Sequence, residues 1–172
     1  PQLVYAMIYA ESSADPYDAT KDPAGAYGLM QCERGTYFNK KMKIKYLDGK
    51  VEYFTPSYSN MKPKSCGTKI INGEKVDKAI CNQIMVGCNE MRARLEEYHW
   101  NILAALCGYN LGIGGFQWVV MHYIKDRYKL SIYVSPNGKS SLLYKQSAAV
   151  QKKYWEVIDT MQAPWKDYRK KY

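Results

Sequence analysis

The chain has 172 residues, with 25 Lys and Arg against 16 Asp and Glu, a formal charge of +9, two His and five Cys. That length suits one domain with room for a small inserted lobe. A hydrophobic content of 47% excludes a disordered chain, because it can bury a real core. Two His argue against a zinc site built from several of them. No uninterrupted apolar run approaches the roughly 20 residues of a membrane span, so a soluble chain is expected.

The chain opens at Pro1 with no initiator Met and no basic-then-apolar leader. It reads as a mature or excised domain of a longer protein. Residues 2–13 are apolar at Leu3, Val4, Ala6, Met7, Ile8 and Ala10, with Glu11 the lone charge at the end. This nearly all-round apolar pattern predicts a buried helix. Residues 14–27, rich in Asp, Pro, Gly and Ala, read as a loop. Residues 42–54 alternate around Asp48-Gly49 and residues 68–77 around Asn72-Gly73. Both dipeptides are type I′ hairpin signals, so 40–76 reads as a small β lobe inserted into a helical protein. Ten Lys and four acids fall between residues 40 and 79, an excess of six. Lys is also a common guard against edge pairing of exposed strands.

From 77 to 98, Ile80, Cys81, Ile84, Cys88, Met91 and Leu95 recur at three- and four-residue steps, which predicts an amphipathic helix. A more buried helix follows at 100–109. Gly112, Gly114 and Gly115 mark a turn, and 116–127 is again helical. Ser135-Pro136-Asn137-Gly138 is a turn. Residues 142–161 form a last amphipathic helix, stopped before Pro164, and 142–172 form a C-terminal helix and tail. The odd number of Cys cannot be fully paired within the chain. Cys81 and Cys88 lie two helical turns apart and cannot bridge each other. Cys66 can reach Cys81 or Cys88, and Cys32 and Cys107 read as small buried hydrophobes.

Glu11 is the first chemical candidate. A carboxylate at the end of a buried helix is costly while charged and unpaired. A raised pKa relieves the cost and keeps the proton on, which is what a general acid needs near neutral pH. Glu11-Ser12-Ser13-Ala14-Asp15-Pro16 is followed by Gly25-Ala26-Tyr27-Gly28-Leu29-Met30-Gln31 and then Thr36. Far downstream comes Ala104-Ala105-Leu106-Cys107-Gly108-Tyr109-Asn110-Leu111-Gly112-Ile113-Gly114. In order and spacing these segments resemble the lysozyme-like lytic transglycosylases and their relative, goose-type lysozyme. The resemblance covers roughly residues 2–36 and 77–120; it omits the β lobe.

The resemblance implies a mainly α, α+β lysozyme-like fold. A helical core would surround a cleft for the peptidoglycan glycan strand, and residues 1–172 would form one catalytic domain. It matches Glu11 to the acid that protonates the oxygen bridging N-acetylmuramic acid and N-acetylglucosamine. Ser12, Gly28, Met30, Gln31, Tyr109 and Asn110 match positions that shape the cleft or hold the sugar. It implies no cofactor and no metal, and a setting outside the cell, at the wall or on a virion. One position departs: Glu33 and Arg34 stand where the transglycosylases usually carry an apolar residue and Pro. Goose-type lysozymes place a carboxylate at the offset of Glu33, and an inverting hydrolase needs such a second carboxylate. Glu33 therefore tilts the expectation toward hydrolysis by a muramidase. A transglycosylase, forming 1,6-anhydro ends with Glu11 alone, is the alternative. Asp15 and Asp22 read as loop-capping residues.

Two other classes fit less. A non-catalytic wall-binding module would use the aromatics and the basic lobe but not Glu11. A nucleic-acid binder would draw on charge and on the cluster Tyr46, Tyr53, Phe54 and Tyr58, and no nucleic acid is expected. The excess charge instead suggests anionic wall polymer as a second partner.

Overall fold

The computed structural model describes residues 2–161 apart from 24, 47, 139 and 140. The chain is mainly helical with two small antiparallel hairpins. Two compact units divide it, residues 1–90 and 91–172.

The first unit opens with helix α1, Gln2–Ser12. It is not the buried helix that its apolar count predicts. Only Met7 and Ser12 are buried, while Tyr5 and Tyr9 are 72% and 64% exposed. The tyrosines share one face with Ala6 and Ala10, which are exposed as well. That face offers hydroxyls and little aliphatic bulk, so leaving it in water costs less than its apolar letters imply. The loop after α1 folds back on itself through a bridge between Ala19 and Tyr27. A single turn, α2 (Arg34–Tyr37), leads to strands β1 (Met42–Lys45) and β2 (Val51–Phe54). A second turn, α3 (Tyr58–Met61), precedes β3 (Thr68–Ile71) and β4 (Glu74–Asp77). Tyr27, Phe38 and Tyr58 pack edge to face with centroids 5.1–5.8 Å apart, tying the loop to the lobe.

The two hairpins close differently. In β3–β4, Ile71 pairs with Glu74 across Asn72 and Gly73, whose φ values of 51° and 85° are those of the predicted type I′ turn. In β1–β2 the same turn on Asp48-Gly49 would set Lys45 opposite Glu52. Lys45 instead pairs with Val51. The loop is one residue longer because Asp48 Oδ1 accepts from the Lys50 amide at 2.9 Å while Tyr46 N donates to Lys50 O at 2.8 Å. A one-residue shift exchanges the two faces of a strand.

Helix α4, Lys78–Glu97, forms where the periodicity predicts it, but its buried face is Ala79, Gln83, Val86, Gly87 and Met91, while Ile80, Cys81, Ile84, Cys88 and Leu95 of the predicted stripe are only half-buried. Asp77 caps it, its Oδ1 accepting from Ala79 N at 2.8 Å. In the second unit, α5 runs over Ile102–Tyr128. The predicted glycine turn narrows to Gly112 alone, at φ 69° and ψ 161°, while Gly114 and Gly115 are helical. By length and composition α5 is long and apolar enough to cross a membrane, although single polar residues interrupt its apolar run. Gly112 nevertheless breaks it, and Phe116, Val120, Met121 and Ile124 on its far arm are buried in the core. The turn at 135–138 forms as expected, Gly138 N donating to Ser135 O at 2.8 Å.

The last helix starts later than predicted. Residues 143–145 make a 3-10 turn and α6 spans Ala148–Met161. Gln146 explains the delay. Its buried side chain accepts from Tyr133 N at 2.8 Å and donates to Tyr133 O and to Ser141 Oγ at 3.0 Å, which holds the backbone extended there. The expected stop before Pro164, and the tail, lie outside the described residues. None of the five Cys, all among the described residues, is in a disulfide. Cys32 is buried as expected, while Cys107 is half-buried, and burial raises its pKa.

Asn101 is fully buried between α5 and α6. Its Oδ1 caps α5 at Ala104 N, 3.1 Å away, and its Nδ2 donates to Ile158 O at 2.6 Å. Asn101→Ala removes the cap and orphans a buried carbonyl, so it should cost about 1–3 kcal/mol. Urea denaturation with an unchanged midpoint would contradict this.

Candidate active site

Glu11 lies in the last turn of α1 and is half-buried; burial pushes its carboxyl above the ordinary value of 4.5. The helix stops immediately after it. Ser13 and Ala14 both take left-handed backbone, at φ 52° and 65°, and Ser13 N still donates to Tyr9 O at 2.9 Å. Two consecutive non-glycine residues in that region cost energy, and here they turn the chain sharply beside the carboxyl. Asp15 then closes an Asx turn, accepting from Tyr17 N at 2.8 Å, so it is a loop-capping residue as expected.

Ser12 joins this helix end to the second motif. Its buried Oγ lies 3.0 Å from Leu29 O and 3.1 Å from Ile8 O, and its single proton is shared between them. The motif itself is the tip of a loop closed by reciprocal backbone bonds between Tyr27 and Cys32, at 3.1 and 3.2 Å. Within it Gln31 N donates to Gly28 O at 3.0 Å. Gln31 is half-buried at φ 46°, and its Nε2 donates to Gly28 O at 2.9 Å and Asp18 O at 3.3 Å. Met30 is fully buried, packed so closely on α4 that a Cβ at Gly87 would lie 2.5 Å from it.

The residue that organises these groups is Gln83, on α4 and 1% exposed. Its Oε1 accepts from Leu29 N at 2.9 Å. Its Nε2 donates to Pro16 O at 3.0 Å and to Met61 O at 2.7 Å. Gly28 is needed for this contact. It sits at φ 76°, and a Cβ there would lie 2.6 Å from the Gln83 amide. In this structure, then, the open side of Gly28 receives a protein side chain. Gln83 lies off the stripe of Ile80, Cys81, Ile84 and Cys88 that marks α4 in the sequence, on the face it shares with Ala79, Val86 and Gly87, and that face is the buried one. A polar residue at such a position must find buried partners.

Glu33 is exposed at the start of α2, and its Oε2 accepts from Thr36 Oγ1 at 2.8 Å. Arg34 is buried. Its guanidinium donates to Gly25 O at 3.0 Å, Thr20 O at 2.7 Å, Tyr58 Oη at 2.6 Å and Asp22 O. It thus clamps the loop between Glu11 and the Gly-Leu-Met-Gln segment. Tyr109, half-buried, and Asn110, exposed, sit on α5 of the second unit, just before Gly112. Among the described residues no group of three His, Cys, Asp or Glu is placed to hold a metal ion.

Residues 1–131 match the family model described as Transglycosylase SLT domain. The chain belongs to the transglycosylase SLT domain family. No curated protein and no solved structure matches it. The match runs through both hairpins to the end of α5. It supports lytic transglycosylase-type enzymatic activity for this SLT domain, while the goose-type relative is not singled out.

Two outcomes test this geometry. Gln83→Ala leaves Leu29 N, Pro16 O and Met61 O without their partner, so the SLT domain should lose about 2 kcal/mol or more of stability; denaturant melts equal to wild type would contradict it. Glu11→Gln should act the other way. The folded-state pKa of Glu11 is raised, so charging it costs the wild type stability as pH rises above about 4.5. The variant should therefore match wild type in acid and melt higher at neutral pH. A Tm difference that does not grow with pH would contradict the raised value.

Proposed function

We propose that this domain cleaves the β-1,4 bond between N-acetylmuramic acid and N-acetylglucosamine in peptidoglycan by intramolecular transglycosylation, with Glu11 as the catalytic residue. The observation that carries the reading is the half-buried Glu11 carboxyl, raised by desolvation, one residue from the serine that ties α1 to the Gly-Leu-Met-Gln turn. The protonated carboxyl gives its proton to the bridging oxygen as the bond to the muramic C1 breaks. The N-acetylglucosamine leaves with a free 4-hydroxyl. The muramic 6-hydroxyl then attacks C1, and its proton returns to the Glu11 carboxylate. No water is consumed, and the product carries a 1,6-anhydro ring. Ser12 and Gln31 hold the turn beside the acid, and Tyr109 and Asn110 are assigned to sugar binding.

Transglycosylation replaces the hydrolytic expectation for two reasons. The chain belongs to the SLT family, and the carboxylate that suggested hydrolysis is an exposed helix-start residue already bonded to Thr36. Hydrolysis in the manner of goose-type lysozyme would require Glu33 to hold a water on the far side of the sugar from Glu11. The setting proposed is the cell wall, reached from outside the cell or from a virion.

Mass spectrometry of digested walls tests this directly. Wild type should release muropeptides ending in 1,6-anhydro-muramic acid, Glu33→Gln should release the same products at near wild-type rate, and Glu11→Gln should lose 10²-fold or more in rate. Reducing-end products that disappear with Glu33→Gln would establish hydrolysis instead. The rate should also fall as pH rises through the raised pKa of Glu11, because the acid form is the active one.

A further inference from the structure

The two hairpins distribute their charge differently. In β3–β4 the register sets Lys75 and Asp77 on one face, with Thr68 and Ile70, and Lys69 and Glu74 on the other, with Ile71 and Val76. Each face carries one charge of each sign. In β1–β2, Met42, Ile44, Glu52 and Phe54 share the inner face. Ile44 there is 3% exposed, and Tyr46 Oη reaches the Met85 sulfur of α4 at 3.7 Å. Glu52, the only acid of the two strands, lies on this side. It pairs with Lys50 at 2.5 Å and accepts from Tyr46 Oη at 2.9 Å, and these partners hold its carboxyl below the ordinary range.

The outer face therefore carries Lys43, Lys45, Val51 and Tyr53, all exposed, and no acid. Lys41, just before β1, adds a third cation with its Nζ 4.4 Å from the centre of the Tyr53 ring. The one-residue register shift produces this face, because the two-residue turn would have set Glu52 across from Lys45.

We propose that this face, Lys41, Lys43 and Lys45 around Tyr53, docks a phosphate-bearing anionic polymer of the cell wall. Alternate strand residues lie about 6.8 Å apart, within the Debye length of about 8 Å at physiological salt, so the three ammoniums act together as a cationic strip. Lys is a point-charge partner that needs no planar, bidentate acceptor, which suits a flexible chain of phosphodiesters. The Tyr53 ring supplies an apolar surface for the carbon backbone between phosphates. The choice of a wall polymer rests on the proposed function; the cationic face does not.

Sedimentation with purified Gram-positive walls tests it, using Glu11→Gln protein so that binding is read without cleavage. Native walls and walls stripped of phosphate polymers by hydrofluoric acid are compared. Binding to native walls should weaken roughly tenfold or more between 50 and 200 mM salt, as expected for about three displaced counterions. It should fall comparably on stripped walls. Adding Lys41→Gln, Lys43→Gln and Lys45→Gln should remove the salt-sensitive part. The three Lys→Arg changes should restore it, and Lys69→Gln with Lys75→Gln should leave it intact. With Glu11 itself intact, the triple Gln variant should cut a short soluble glycan at wild-type rate. Equal binding by the triple Gln variant, or equal binding to native and stripped walls, would overturn the proposal. Stronger retention on single-stranded DNA than on native walls at 150 mM salt would overturn it in favour of nucleic acid. Loss of cleavage by the wild type with binding preserved would count against the proposed function alone.

Discussion

One buried amide sets the frame of the first unit. Gln83 satisfies backbone groups from three separate segments: the exit of α1 at Pro16, the motif turn at Leu29 and the lobe at Met61. None of these three segments is a partner in a sheet ladder at that point, so their polar groups have to be paired some other way or remain costly. A single side chain on a long helix pairs all three and so fixes their mutual distances. Ser12 repeats the device on a smaller scale between α1 and the same turn. Glu11 adjoins Ser12, and its partial burial follows from where those bonds hold the helix end.

The departures at residues 33 and 34 acquire a meaning in this frame. Arg34 spends its donors on backbone carbonyls at 20, 22 and 25 and on the Tyr58 hydroxyl. A buried cation whose hydrogen bonds are met by carbonyl dipoles is tolerable without a carboxylate in contact. It replaces the stiffness of a proline with a clamp across the loop that precedes the motif. Glu33, beside it, starts α2 and holds Thr36. Both residues are accounted for as local structure.

Much of this was legible in the sequence, and the failures have definite causes. The motif order, α4 and the existence of both hairpins follow from periodicity and turn dipeptides. The register of β1–β2 did not, because it depends on whether Asp48 spends its side chain on the Lys50 amide. Counting apolar letters over α1 predicted burial that Tyr5 and Tyr9 do not have. The late start of α6 lies in the buried bonds of Gln146, and such bonds are tertiary rather than local. Gln83 is hidden for a related reason: it lies beside the stripe of Ile80, Cys81, Ile84 and Cys88, and its burial is set by the loop and lobe that pack on α4 rather than by the helical pattern.

The central claim is that the fold desolvates Glu11 enough to keep it protonated above the range of an ordinary carboxylate. Titration of the Glu11 side-chain carboxyl by carbon-detected NMR, assigned by its loss in Glu11→Gln, measures this directly. The account predicts a midpoint clearly above 4.5. A midpoint at or below that value would contradict it, because a carboxylate already ionised in mild acid has no proton to give the glycosidic oxygen near neutral pH.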